Sequence, residues 1–154
     1  LTMSRLTHGY LESVSKKIFH DKFLGVFPCN IYPNIKNLKD GKYVIFNLSE
    51  HNERGSHFVA IYLDENKIYF FDPLGDKLQN YYIERFIQKQ LIKSKIFIDI
   101  EKKIQDDSSD FCGFFCLGFL LAMDKKISLK SFFDQFIGMK KTDEKIISFI
   151  SSNL

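Results

Sequence analysis

Four residues of this chain, His57, Asp72, Gln105 and Cys112, have the side-chain chemistry of nucleophilic catalysis. Cys112 stands in QDDSSDFCGFFC, where a polar run gives way to an apolar one that reads as the start of a helix. A free thiol has a pKa of about 8.5, and the thiolate is the form that attacks a carbonyl. A helix start offers unpaired N–H groups and a partial positive charge, both of which favour the thiolate. Gly113 follows and leaves room for a substrate backbone to approach. A lone cysteine in an apolar helix is usually packing, so its company decides the reading.

A thiol nucleophile needs a base, and the base needs an orienting group. His57 opens one expected strand and Asp72 closes the next, with a turn at Asp64 to Asn66 between them. Such a hairpin brings its two outer ends together, so His57 and Asp72 are expected opposite or nearly opposite each other. His51, in the polar turn just before, is the competing histidine, while His8 and His20 have no such acid across from them. Gln105 ends or follows a strand ahead of Cys112. Its amide can donate a hydrogen bond to the oxyanion formed on attack, and the Cys112 backbone N–H can supply a second. Cys116 lies one turn deeper, between Phe115 and Leu117, and reads as core; Cys29, beside Pro28 in a loop, reads as structural or incidental.

The elements that must carry these residues follow from periodicity. Helical spacing runs over 4–19. Residues 20–40, with Gly25, Pro28 and Pro33, read as loop with short extended pieces. Strands are expected at 42–48, 56–63, 67–72 and 95–100, with a polar turn at 50–55. A helical stripe covers 78–94. Residues 110–123 are apolar almost throughout, as in a helix buried on most sides, with Ser108, Ser109 or Asp110 as its N-cap. Two further helices are expected at 128–137 and 142–154, the last with Asp143 and Glu144 in its first turn. The fold class is α+β: a small, mainly antiparallel central sheet with helices around it, over residues 1–154 as a single domain.

Seventeen Phe and seven Tyr among 154 residues supply the bulk of a core. The net charge of +3 is mild, and the lysines are spread along the chain, so a soluble lysine-rich surface is expected rather than a nucleic-acid patch. Leu1 and Thr2 are left out of the fold reading. LTMSRLTHGY lacks the apolar run of a signal peptide, and no stretch is apolar enough to span a membrane. Three cysteines are too few for a disulfide framework and point to a reducing intracellular compartment. Cys112 and Cys116 have loose zinc-ligand spacing, but all four histidines lie upstream and no second ligand pair follows, so no metal is expected.

The set His57, Asp72-Pro73-Leu74-Gly75, Gln105 and Cys112-Gly113, in that order and spacing, resembles the adenain family, the adenovirus maturation proteases. The wider likeness is to proteases of SUMO and other ubiquitin-like proteins. FFDPLG is similar to the family's acid-Pro-x-Gly stretch, and FLGVFP, near residue 23, to its N-terminal region. The resemblance implies a papain-like cysteine protease fold of the adenain type, with His57 as general base, Asp72 as its orienter, Cys112 as nucleophile and Gln105 as oxyanion donor. It places Phe58 where the family often has Trp and, with Gly113, assigns it to substrate binding. It implies a monomer that needs no metal or organic cofactor and cuts polypeptides after glycine, at Gly-Gly or Gly-x sites. Virion precursors would be the substrates, and the host nucleus or the virion the location. A peptide or DNA activator belongs to the same expectation. Residues 73–111 hold no cysteine, so a disulfide-linked peptide there is not expected. Two alternatives stand beside this reading: an isopeptidase acting on ubiquitin-like conjugates, and a non-catalytic binding module of the same fold.

Overall fold

The strands are apolar on both sides, so the sheet they form needs cover on both faces. In the computed structural model, which describes residues 8–49, 57–91 and 96–154, helices supply that cover. Strands β1 (Phe23–Pro28), β2 (Lys42–Asn47), β3 (Phe58–Leu63), β4 (Lys67–Phe71) and β5 (Ile96–Ile100) lie side by side in chain order. The helices are α1 (His8–Phe19), α2 (Tyr81–Leu91), α3 (Cys112–Asp124), α4 (Leu129–Asp134) and α5 (Thr142–Asn153).

The α+β class holds, but the sheet is mixed rather than mainly antiparallel. The central trio β2-β3-β4 is antiparallel, whereas β1 runs parallel to β2 and β5 parallel to β4. The reason lies in the connections. A parallel neighbour needs a crossover; residues 29–41 provide one, and the segment containing α2 provides the other.

Side-chain alternation sorts the two cores. Val44, Phe46, Val59, Ile61 and Phe70 face Ile83, Phe86 and Ile87 of α2. Ile45, Ala60 and Phe71 face the other way, onto α3, around which α1, α4 and α5 gather. Residues 112–122 of α3 are all buried, which accounts for its unbroken apolar sequence. Gly118 lies where α5 crosses, and a methyl group there would run into Ile146 Cδ1.

Local signals mostly hold. Ser128 caps α4, its Oγ accepting from Ser131 N at 3.1 Å. The cap expected for α3 does not: its N-cap is Phe111, with no side-chain cap. Ser109 Oγ instead accepts the N–H of Phe111 itself and donates to Asp143 Oδ1. No helix among the described residues is long and apolar enough to cross a membrane. The N-terminal stretch 1–7, His51 and the polar turn at 50–55 lie outside the described residues.

Candidate active site

The hairpin expected to pair His57 with Asp72 is closed by Asp64. Its Oδ1 accepts from Asn66 N at 2.8 Å and Lys67 N at 2.9 Å, which draws Asp64 below the usual carboxylate range despite its partial burial. From that turn the register runs Leu63 to Ile68 up to Ala60 to Phe71. Continued by one residue, it sets Asp72 against Val59, with His57 two residues farther along. The pair is therefore diagonal rather than directly opposed, within reach of long side chains. His57 Nε2 meets Asp72 Oδ1 at 2.7 Å, with 15% and 5% of the two side chains exposed. The backbone of His57 is held as well, its carbonyl accepting from Leu48 N at 2.9 Å.

Asp72 is fixed by the residues that follow it. Its Oδ1 also accepts from Leu74 N at 2.9 Å, and its carbonyl accepts from Gly75 N at 2.8 Å. Gly75 has φ +81°, and a Cβ there would lie 2.8 Å from the backbone nitrogen of Lys103. Only glycine satisfies both conditions. The Pro73 carbonyl accepts from Ile104 N and Gln105 N, each at 3.0 Å. Asp-Pro-Leu-Gly thus orients the acid and holds the backbone of Gln105 in one turn.

Gln105 is 2% exposed. Its Nε2 donates to the Ser109 carbonyl at 2.9 Å, and its Oε1 is buried without a partner. A carbonyl can only accept, so the amide nitrogen must face Ser109. The nitrogen carries a second N–H. Ser109 in turn holds Phe111 N, the residue before Cys112, at 3.1 Å. Cys112 is the first residue of α3 and is 5% exposed.

His57 joins the acid and the thiol. Burial alone would lower its pKa, but hydrogen bonds to Asp72 and to Cys112, and the charges of both, raise it to about 9. With Nε2 committed to Asp72, Nδ1 is the nitrogen left for the thiol. Cys116, wholly buried one turn along, has its pKa pushed well up, chiefly by burial. Cys29 donates from Sγ to the Leu48 carbonyl at 3.2 Å, in the core beneath α2. Phe58, at 6% exposure, packs in the core on the α3 side, and Gly113 is buried in the first turn of α3. Among the described residues no cluster of His, Cys, Asp or Glu is placed to hold a metal ion.

Three contributors escape a reading of the sequence. The Leu74 N–H and Pro73 carbonyl are backbone groups, signalled only by the Pro and Gly beside them. Ser109 reads as a cap, and nothing in QDDSSDF marks its bond to a residue on α5.

The fold is shared with a solved structure. The backbone superposes on the crystal structure of an ASFV protease with a TM-score of 0.67 over 99% of this chain and 69% of that one, at 17% identity. Residues 23–150 match the adenovirus endoprotease family, and the chain belongs to that family of viral cysteine proteases. A thiol protease of Acanthamoeba polyphaga mimivirus is 34% identical over 124 residues, covering 66% of this chain and 40% of that protein. The protease of porcine adenovirus A serotype 3 is 25% identical over 129 residues, covering 75% of this chain and 63% of that protein. The chain thus spans less than two thirds of either relative's length.

Proposed function

We propose that the chain is a cysteine endopeptidase that cuts after glycine and processes virion precursor proteins. The observation that carries this reading is the single imidazole that is bonded to a buried carboxylate at 2.7 Å and whose pKa is raised by that carboxylate and by the thiol that begins α3. At neutral pH His57 already carries the proton on Nδ1, and Sγ attacks the scissile carbonyl as the thiolate. The oxyanion receives the spare Nε2 N–H of Gln105 and the backbone N–H of Cys112. His57 then gives its proton to the leaving amine as the C–N bond breaks and a thioester remains. A water, deprotonated by the same nitrogen, attacks the thioester carbonyl, and the thiolate is released.

Glycine preference is supported by the burial of the reacting atoms. Cys112 is 5% exposed and the His57 side chain 15%, so little space is left for a Cβ next to the scissile carbonyl. Family membership supports virion precursors as substrates, action as a monomer and activation by a peptide or by DNA. The three cysteines, all free, suit a reducing compartment such as the host-cell interior or the virion.

The test is a peptide vinyl sulfone with an aliphatic-x-Gly-Gly sequence, followed by peptide mapping. One adduct is expected, on Cys112, absent in His57→Ala. Labelling of Cys29 instead, or equal labelling in the His57 variant, would overturn the reading.

A further inference from the structure

We propose that Ser109 is a positioning residue that aims the Gln105 amide at the oxyanion, and that Asp143 of α5 holds Ser109 in place. The inference rests on the thiol protease reading above. Three bonds tie Ser109 to the site and to α5. Its carbonyl accepts from Gln105 Nε2 at 2.9 Å, its Oγ accepts from Phe111 N at 3.1 Å, and its hydroxyl donates to Asp143 Oδ1 at 2.7 Å. The first reaches the oxyanion donor, the second the N-cap of the nucleophile's helix, and the third a separate helix.

The need for such a link comes from Gln105 itself. Its Oε1 is buried and unpartnered, so among the described residues the Ser109 carbonyl alone holds its amide. A side chain held by one bond can swing, and an oxyanion donor is effective only within hydrogen-bond distance of the developing charge. Ser109 removes that freedom only if its own peptide is fixed. Its N–H donates to the Asp106 carbonyl at 2.9 Å, which closes a turn. Its hydroxyl then ties the turn to α5, whose Ile146, Phe149 and Ile150 are buried in the same core as α3. Donor and nucleophile are thereby referred to one packed unit of two helices.

The experiment compares two probes on wild type, Ser109→Ala, Ser109→Thr, Asp143→Ala and Asp143→Asn. A peptide aldehyde ending in glycinal forms a hemithioacetal. Sγ bonds to the carbonyl carbon, the C=O double bond opens, and the thiol proton ends on the oxygen, which occupies the oxyanion position. Iodoacetamide reads the thiol without an oxyanion. Ser109→Ala and Asp143→Ala should weaken aldehyde binding by about tenfold or more and lower kcat with little change in KM. Their iodoacetamide rates should stay within about twofold of wild type. Ser109→Thr and Asp143→Asn keep the hydroxyl and the acceptor oxygen and should restore most of the loss. Thermal melts identify a variant that has not folded, and Asp143→Ala, outside the loop, then carries the test. Unchanged aldehyde affinity in a folded variant would overturn the assignment. So would a parallel fall with both probes, the mark of a merely structural role. A wild-type Cys112 that reacts with neither probe would instead sink the protease reading, and this inference with it.

Discussion

The two ends of α3 each set a carboxylate beside a side chain that can lose a proton, yet they differ in what can move. At the N-terminal end, Asp72 faces His57, which also reaches Cys112. At the C-terminal end, Asp124 accepts from the Tyr43 hydroxyl at 2.8 Å and pairs with Lys22 at 3.5 Å. Beside it, Tyr62 donates to Asp64 at 2.8 Å, and its ring lies 5.7 Å from that of Tyr43. An acid in the last turn opposes the helix dipole, which the Tyr43 and Lys22 partners offset. Burial, then the bond to Asp124, pushes the Tyr43 pKa far above its ordinary value, and burial with the Asp64 bond does the same to Tyr62. Those hydroxyls keep their protons at any physiological pH and act as latches. The imidazole, poised at about 9, can give its proton up. The same helix therefore ends in a reactive pair and in a static one, and the partner of the acid decides which is which.

The largest expected effect breaks the reactive pair. In the mechanism proposed above the imidazolium protonates the leaving amine, and a His57 pKa raised from 6.5 to about 9 means that this form persists well above neutrality. Hydrolysis should hold through pH 8 and fall as pH rises through about 9. The sign for stability is the same: what protonated His57 contributes is fully present below its unfolded value of 6.5 and is lost on rising through about 9. Asp72→Asn removes the charge and keeps the shape. It should lower turnover by about a hundredfold or more and move the alkaline limb to lower pH. Both are read from rate profiles of wild type and variant. An alkaline limb that stays in place would show that Asp72 does not tune the imidazole.

Much of the reactive end is legible in the sequence because it is local. Short apolar runs bounded by turn residues mark β3 and β4, and the Asp64 turn fixes their register to within two residues, so the pairing of His57 with Asp72 follows from the order of residues along one hairpin. The apolar run that begins near Phe111 marks a buried helix and places Cys112 in its first turn, and the structure makes it the first residue. What stays hidden depends on partners far apart in sequence. The parallel edges β1 and β5 are set by crossovers, which strand periodicity does not encode. Ser109 resembles a cap because serine before an apolar run usually is one, and its bond to Asp143 spans 34 positions. The Tyr43–Asp124 latch spans 81, and each residue alone reads as ordinary strand or helix surface.

A smaller effect tests how the reactive end is braced. Gly75 adopts a left-handed φ and packs on the backbone of Lys103, so Gly75→Ala meets both backbone strain and a clash. The expected cost is about 2–3 kcal/mol of stability, visible as a lower denaturant midpoint. Because the same turn holds Asp72 and the backbone of Gln105, turnover of the folded fraction should drop as well. Loss of stability with turnover per folded molecule intact would mean that the turn carries fold but not site geometry.

The smallest effect is expected at the static end, and it sharpens the contrast most. Tyr43→Phe removes one hydroxyl and leaves the ring, which packs edge-on against Phe19 at 4.9 Å. Asp124 loses its shorter bond but keeps Lys22 and has 21% of its side chain exposed, so solvent can take the place of the hydroxyl. That limits the cost to about 1–2 kcal/mol. Turnover should remain within about twofold, since distant sites without shared partners act independently. The two measurements together decide the point. If turnover falls tenfold while the midpoint barely moves, the latch is coupled through α3 to Cys112, and the two ends form one device. If stability alone shifts, α3 is a rigid spacer whose ends have separate duties, and the chemistry belongs to the end where a proton can leave.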